Sequence, residues 1–194
     1  MFGNGIRRIF KKIIGPHPSS TDLGKDRMGE GRAYGDAHNR ATECQGRACG
    51  MISRRDWTLI VLAAAEGSAL SPVQLQKALF LIGEDLPWAT GNDFYKFVPY
   101  NYGPFDSSIY HDADELSSGG LAVVGYQAGR RYCEYAISPQ GQKRAEQVMA
   151  KIKPEVAAHV KSVVKWVKNV SFEQLLRTIY DKYPQYAVNS VFRK

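Results

Sequence analysis

From Met51 onward the apolar positions fall into helical and strand-like periods that predict an α+β, mostly helical fold. Trp57, Ile60, Val61, Ala64 and Ala65 are spaced for one face of a first helix, with Asp56 as its N-cap and Gly67 as its end. Ser71-Pro72-Val73-Gln74 supplies an N-cap, a proline at the first helical position and a capping-box glutamine, so a second helix follows with Leu75, Ala78, Leu79 and Ile82 as its buried stripe. The stretch from Pro87 to Phe105 is rich in aromatic residues and predicts a short strand over Phe94–Val98, whose alternation puts Tyr95 and Phe97 on one side and Phe94 and Lys96 on the other. Gly103-Pro104 opens a third helix in which Phe105, Ile109, Ala113 and Leu116 face inward, until Gly119-Gly120 stops it.

Two extended runs, Leu121 to Tyr126 and Arg131 to Ile137, are joined by Gln127-Ala128-Gly129-Arg130 and read as a β-hairpin with a basic tip. Ser138-Pro139 starts another helix through Ala145, Val148, Met149 and Ile152, which Pro154 interrupts or restarts. A last helix begins at the capping box Ser171/Gln174, carries Leu175, Leu176, Ile179, Tyr180 and Tyr183 on its apolar side, and ends before Pro184. Three helices followed by a two-stranded hairpin is the order of a winged helix-turn-helix. The expected organisation is therefore a winged-helix-like core over residues 51–138 and a C-terminal helical extension, 139–194, packed on it. A generic α+β domain fits the same order of elements.

The first fifty residues have a different character. Ile6, Ile9, Phe10, Ile13 and Ile14 alternate with Arg7, Arg8, Lys11 and Lys12 as a short basic amphipathic helix suited to weak association with a membrane surface or to partner docking. Between Gly15 and Gly50 the sole Val, Ile, Leu or Phe is Leu23, too little apolar surface to offset ordering, which predicts a disordered leader. A marginal helix on a tail, or a stretch upstream of a true start at Met51, explains this segment more simply than membrane docking does. The leader also skews the charge. It holds nine basic and five acidic residues, whereas residues 51–194 hold seventeen and fourteen, so the formal charge of +7 is not a property of the bulk. The longest apolar run, Leu59 to Ala65, is too short to cross a bilayer, and three cysteines without a signal-like apolar segment point to the reducing cytoplasm.

Several short runs together resemble one family. They are Leu75-Gln76-Lys77-Ala78-Leu79-Phe80, Tyr100-Asn101-Tyr102-Gly103-Pro104-Phe105-Asp106, Asp114-Glu115-Leu116 with Gly119-Gly120-Leu121, and Ile137-Ser138-Pro139-Gln140-Gly141. In their order they are similar to the Panacea (SocA-like) antitoxin domain and the related YwgA-type bacterial proteins, over roughly residues 56–190. The resemblance implies a non-enzymatic protein that neutralises a toxin by direct contact, or an adaptor.

The residues themselves weigh protein binding against DNA binding. A third helix that read bases would present Arg, Lys, Asn or Gln, yet its outward positions include Asp106, Asp112, Asp114 and Glu115, which phosphates would repel. A protein partner therefore fits better, contacted by Asp106 and Asp112 together with a partner-facing ring at Tyr100 or Tyr102. The nucleic-acid alternative rests on Arg130 and Arg131 at the hairpin tip and on Lys161, Lys165 and Lys168, one face of a stripe that also includes Lys143, Arg144, Lys151 and Lys153. No enzyme constellation is legible: His17 and His38 fall in the leader, and His111 and His159 stand alone in separate helices. Cys44 and Cys49 lack a second ligand pair for zinc, and Cys133 reads as a small buried hydrophobe. Gly29, Gly31 and Gly35 follow no strand, so no dinucleotide loop is expected, and neither is any cofactor.

Overall fold

The structure, a computed structural model, describes residues 52–126, 129 and 132–192. The leader, with His17, His38, Cys44 and Cys49, and the hairpin-tip residues Arg130 and Arg131 lie outside the described residues. Within them the protein is α+β and mostly helical. Seven α-helices, α1 (Arg54–Ala64), α2 (Pro72–Asp85), α3 (Pro87–Thr90), α4 (Ser108–Ser118), α5 (Pro139–Met149), α6 (Pro154–Asn169) and α7 (Phe172–Lys182), are joined by two antiparallel pairs, β1 (Val98–Tyr100) with β2 (Gly103–Phe105) and β3 (Ala122–Tyr126) with β4 (Cys133–Ile137). A 3-10 turn, Pro184–Ala187, follows α7.

Helix α1 is the centre of the body. Every residue from Trp57 to Ala65 is buried, so the run Leu59–Ala65 is apolar all round because helices α2, α4, α5 and α6 and strand β4 surround it. Its N-cap is Ser53, not Asp56. Asp56 occupies the third helical position, where its backbone N–H donates to Ser53 Oγ and its carboxylate accepts from the Ser53 backbone N–H. Helix α2 starts as its sequence predicts, with the capping box of Ser71 and Gln74 and with Pro72 in the first turn, and it is buried continuously from Leu75 to Ile82. The boxes at Ser171/Gln174 and the cap at Ser138 likewise open α7 and α5.

The aromatic segment departs from its pattern. Phe94–Val98 is not a strand: Tyr95 and Phe97 turn inward and Lys96 outward as expected, but Phe94 is buried as well, edge-on against Trp57. Pairing begins only at Val98, and Gly103-Pro104 belongs to strand β2 rather than to a helix, in the register Val98↔Phe105, Pro99↔Pro104 and Tyr100↔Gly103. Gly103 has φ +85°, which takes it out of the right-handed helical region and makes the tight return possible. The third long helix therefore starts at Ser108; Ile109, Ala113 and Leu116 are buried as expected, while Phe105 lies outside the helix.

In the second hairpin the register runs from Ala122↔Ile137 to Tyr126↔Cys133. On its other side β4 pairs with Leu70, whose N–H donates to the Tyr135 carbonyl at 2.8 Å and whose carbonyl accepts from Tyr135 at 2.9 Å. Cys133 is half-buried at the strand end rather than enclosed. Gly141 in α5 packs directly on the chain entering β3, where a Cβ would stand 1.8 Å from the Leu121 carbonyl oxygen. Gly141→Ala is expected to lower stability by about 3 kcal/mol, the upper range for volume forced into a packed interior, as read by urea denaturation.

Candidate partner-binding surface

The β1–β2 hairpin is held from beneath by two polar residues of an otherwise apolar helix surface. Gln76 and Lys77 of α2 are only 1% and 2% exposed. The Gln76 amide donates to the Asp106 carbonyl at 2.8 Å and accepts from the Asp106 N–H at 3.1 Å, while Lys77 Nζ donates to the Pro104 carbonyl at 2.7 Å. Asp106 then turns the chain into α4: its carboxylate accepts from the Lys96 N–H at 2.6 Å and from the Ser108 N–H at 2.9 Å, and the Ser108 hydroxyl also donates to it. Asp106 is thus an internal tie, half-buried at the entry to α4.

Asp112 is also turned inward. It is 3% exposed and accepts from the Tyr95 hydroxyl at 2.7 Å and from Arg54 Nε at 3.0 Å, while the Thr58 hydroxyl donates to the Tyr95 oxygen at 2.7 Å. Asp112 lies three residues after Ile109 and four before Leu116, so it shares their buried face, which packs against α1. Burial, then the neighbouring Asp112, holds the Tyr95 hydroxyl well above its ordinary range. Asp114 and Glu115 remain exposed on α4, where Glu115 pairs with Arg55 and with His111.

What reaches solvent from this scaffold is aromatic. Tyr100 and Tyr102, at the tip of the β1–β2 hairpin, are 51% and 45% exposed. Tyr102 packs edge-on against Phe172, ring centroids 5.5 Å apart, at the first turn of α7. The two rings and Tyr132, before β4, line a groove of about 490 Å³ with Ser71, Val73 and Leu175, and no charged side chain lines it. The C-terminal segment braces the hairpin: the Val191 N–H donates to the Asn101 carbonyl at 2.9 Å, Asn189 Nδ2 to the Pro99 carbonyl at 3.2 Å, and the Tyr180 and Ser190 hydroxyls share a 2.6 Å bond. Tyr132 and Phe172 escape sequence reasoning because each is a single ring next to a polar turn, and their convergence depends on contacts between distant segments.

The lysine stripe is divided by the fold. Lys168 is half-buried and its ammonium donates to the Ala65 carbonyl at 2.7 Å and to Ser68 Oγ at 2.8 Å, closing the C-terminal end of α1. Arg144 lies 3.6 Å from Asp56, and the Lys153 ammonium stands over the Trp88 ring. Lys161 and Lys165 are exposed and, among the described residues, have no acidic partner. His159 is not solitary as its sequence context suggests. Buried in α6, its Nε2 lies 3.1 Å from an oxygen of Asp85 at the end of α2, and Lys182 donates to the other oxygen at 3.1 Å. The partners are 74 residues apart, and no local signal joins them. His159 and Asp85 are buried while Lys182 reaches them from the surface, so the cluster fastens α2 to α6 and α7.

A second cleft, about 990 Å³, lies between Ser53, Arg54, Trp88, Asn92, Lys96 and Asp106. Two of its charges are already engaged: Arg54 with Asp112, and Asp106 with the N-terminal turn of α4. Among the described residues no group of three or more His, Cys, Asp or Glu could hold a metal ion, and no helix is long and apolar enough to cross a membrane. No family model matches the chain, and no curated protein matches it either.

Two predictions test the supports of the groove. Burial pulls Lys77 down from 10.5 to about 7, so between these values the unfolded chain binds more protons than the folded one. Stability contributed through this group therefore rises with pH from about 7 upward, by up to about 1.4 kcal/mol per unit, and Lys77→Met is expected to remove that slope in urea titrations kept below the range where unfolded tyrosines ionise. Asp112→Ala leaves the Arg54 guanidinium without its acceptor and the Tyr95 hydroxyl with only the Arg54 carbonyl at 3.1 Å, and is expected to cost about 2 kcal/mol, measured by the shift of the denaturation midpoint.

Proposed function

We propose that this chain is a non-catalytic regulatory binding protein of the Panacea-like kind, which neutralises a partner toxin by direct protein contact through the groove between Tyr102, Tyr132 and Phe172. The observation that carries the reading is the groove itself: three rings, each between two-fifths and one-half exposed, converge from separate elements on an uncharged surface. Aromatic residues of this kind bury large areas at small entropic cost and dominate the energetics of protein contacts. The core supports a winged-helix interpretation of the scaffold. In that interpretation α1, the Leu70 bridge, α2, α4 and the β3–β4 wing follow one another in the winged-helix order, with Leu70 as the short strand beside the wing.

The same scaffold motivates a second reading, a winged-helix transcriptional regulator, favoured by exposed Lys161 and Lys165. Against it, the exposed positions of α4 are His111, Asp114, Glu115 and Ser118, so the helix that would enter the major groove brings acid to the phosphates. A gel-shift series separates the two, since DNA binding of this origin weakens steeply as salt rises.

The toxin reading is tested by co-expression with the product of the adjacent gene in a growth-rescue assay. Rescue by the full chain is expected, with loss of rescue and of co-purification in Tyr102→Ala/Phe172→Ala. The double variant should keep the far-ultraviolet circular dichroism of the parent, because both rings are half outside the body. Full rescue by the double variant would place the contact elsewhere.

A further inference from the structure

Among the described residues, strand β3 has one edge paired with β4 and no partner on the other. Within the hairpin, the Ser138 N–H donates to the Leu121 carbonyl at 3.1 Å, which sets the alternation of the ladder: Val123 and Gly125 turn their backbone groups toward β4, and Ala122, Val124 and Tyr126 turn theirs away. Tyr135, opposite Val124, obeys the same alternation by pointing its backbone groups at Leu70 on the far side. Among the described residues, nothing bonds to the outward backbone groups of Val124 and Tyr126.

Protein edges of this sort are ordinarily protected by a lysine, a proline, a bulge or a covering segment. Strand β3 reads Ala-Val-Val-Gly-Tyr, with no charge and no proline, and its five-residue register is unbroken. Two of its side chains stand in water, Val123 at 52% and Tyr126 at 79% exposure.

We infer that this edge is a homodimer seam, in which β3 pairs antiparallel with β3 of a second copy about a two-fold axis at Val124. The sizes along the strand argue for a second copy over a foreign strand. That axis sets Val124 against Val124, Tyr126 of each copy over the small Ala122 of the other, and Val123 beside Gly125 of the other. Tyr126 and Val123 are then each met by a small residue on the same face, and Val124 meets its own copy. The register also matches the outward N–H and C=O groups of Ala122, Val124 and Tyr126 one to one, and an uncharged strand brings no like charges together on self-pairing. Two hairpins become one continuous four-stranded sheet. No residue of β3 lines the aromatic groove.

Sedimentation equilibrium of the full chain, from low micromolar to submillimolar concentration, tests the inference. A monomer–dimer equilibrium is expected. Val123→Lys, which sets lysines close to one another across the axis, should raise the dimer Kd about tenfold or more with an unchanged thermal melt. Val124→Pro removes one outward N–H and should act likewise; should it fail to fold, Val123→Lys decides alone. A parent chain that stays monomeric throughout overturns the inference, and so does a dimer that Val123→Lys leaves intact.

Discussion

Lys77 sits where a lysine is costly, inside a helix whose neighbours from Leu75 to Ile82 are all buried, and the arrangement of the aromatic surface follows from what its ammonium finds there. Pro104 is buried as well, and its carbonyl needs a donor; Lys77 Nζ supplies it at 2.7 Å. Desolvation of a charged amine amounts to several kcal/mol, more than one hydrogen bond returns, and the group responds by giving up its proton readily. Replacing it with an apolar residue would relieve the charge but leave the Pro104 carbonyl without a partner. The lysine is thus a specificity device: it selects the one placement of the β1–β2 hairpin in which donor and acceptor meet, and Tyr100 and Tyr102 ride on that hairpin.

The other buried polar groups work in the same way. The Gln76 amide clasps the backbone of Asp106, Tyr95 and Arg54 meet on Asp112, and Asp85 joins His159 to Lys182. Each tie joins segments that are far apart in sequence, and each sits at the margin of the apolar body formed around α1. Hydrophobic burial drives the chain together without direction, whereas these pairings fix which helix turn faces which loop. His159 retains one unpaired buried nitrogen, Nδ1, and Trp57 an unpaired Nε1, the two exceptions among the described residues to an otherwise satisfied interior.

Most of the helices were legible because caps are local chemistry. Ser71 with Gln74, Ser138 before Pro139, and Ser171 with Gln174 fixed three starts within a few residues, and the glycine pair at 119–120 marked the end of α4. Legibility failed where a distant group took over. Asp56 could cap or be capped, and Ser53 decided it; Gly103-Pro104 resembled a helix start until Gln76 and Lys77 claimed the following backbone groups. Asp112 reads as outward by its charge alone, although its spacing from Ile109 and Leu116 puts it on the buried face, where Tyr95 and Arg54 from distant segments satisfy it. Tyr102 was recognisable as an exposed ring, but the groove was not, since its other rings, Tyr132 and Phe172, come from two further segments.

The strap formed by Asn189, Ser190 and Val191 grips the hairpin around Asn101 across some ninety residues of chain. During synthesis the helices around α1 can assemble as they emerge, but the hairpin lacks its brace until residues 189–191 have left the ribosome. The aromatic surface is therefore completed after the body that carries it, and a nascent chain that stops short of residue 189 cannot present it in final form.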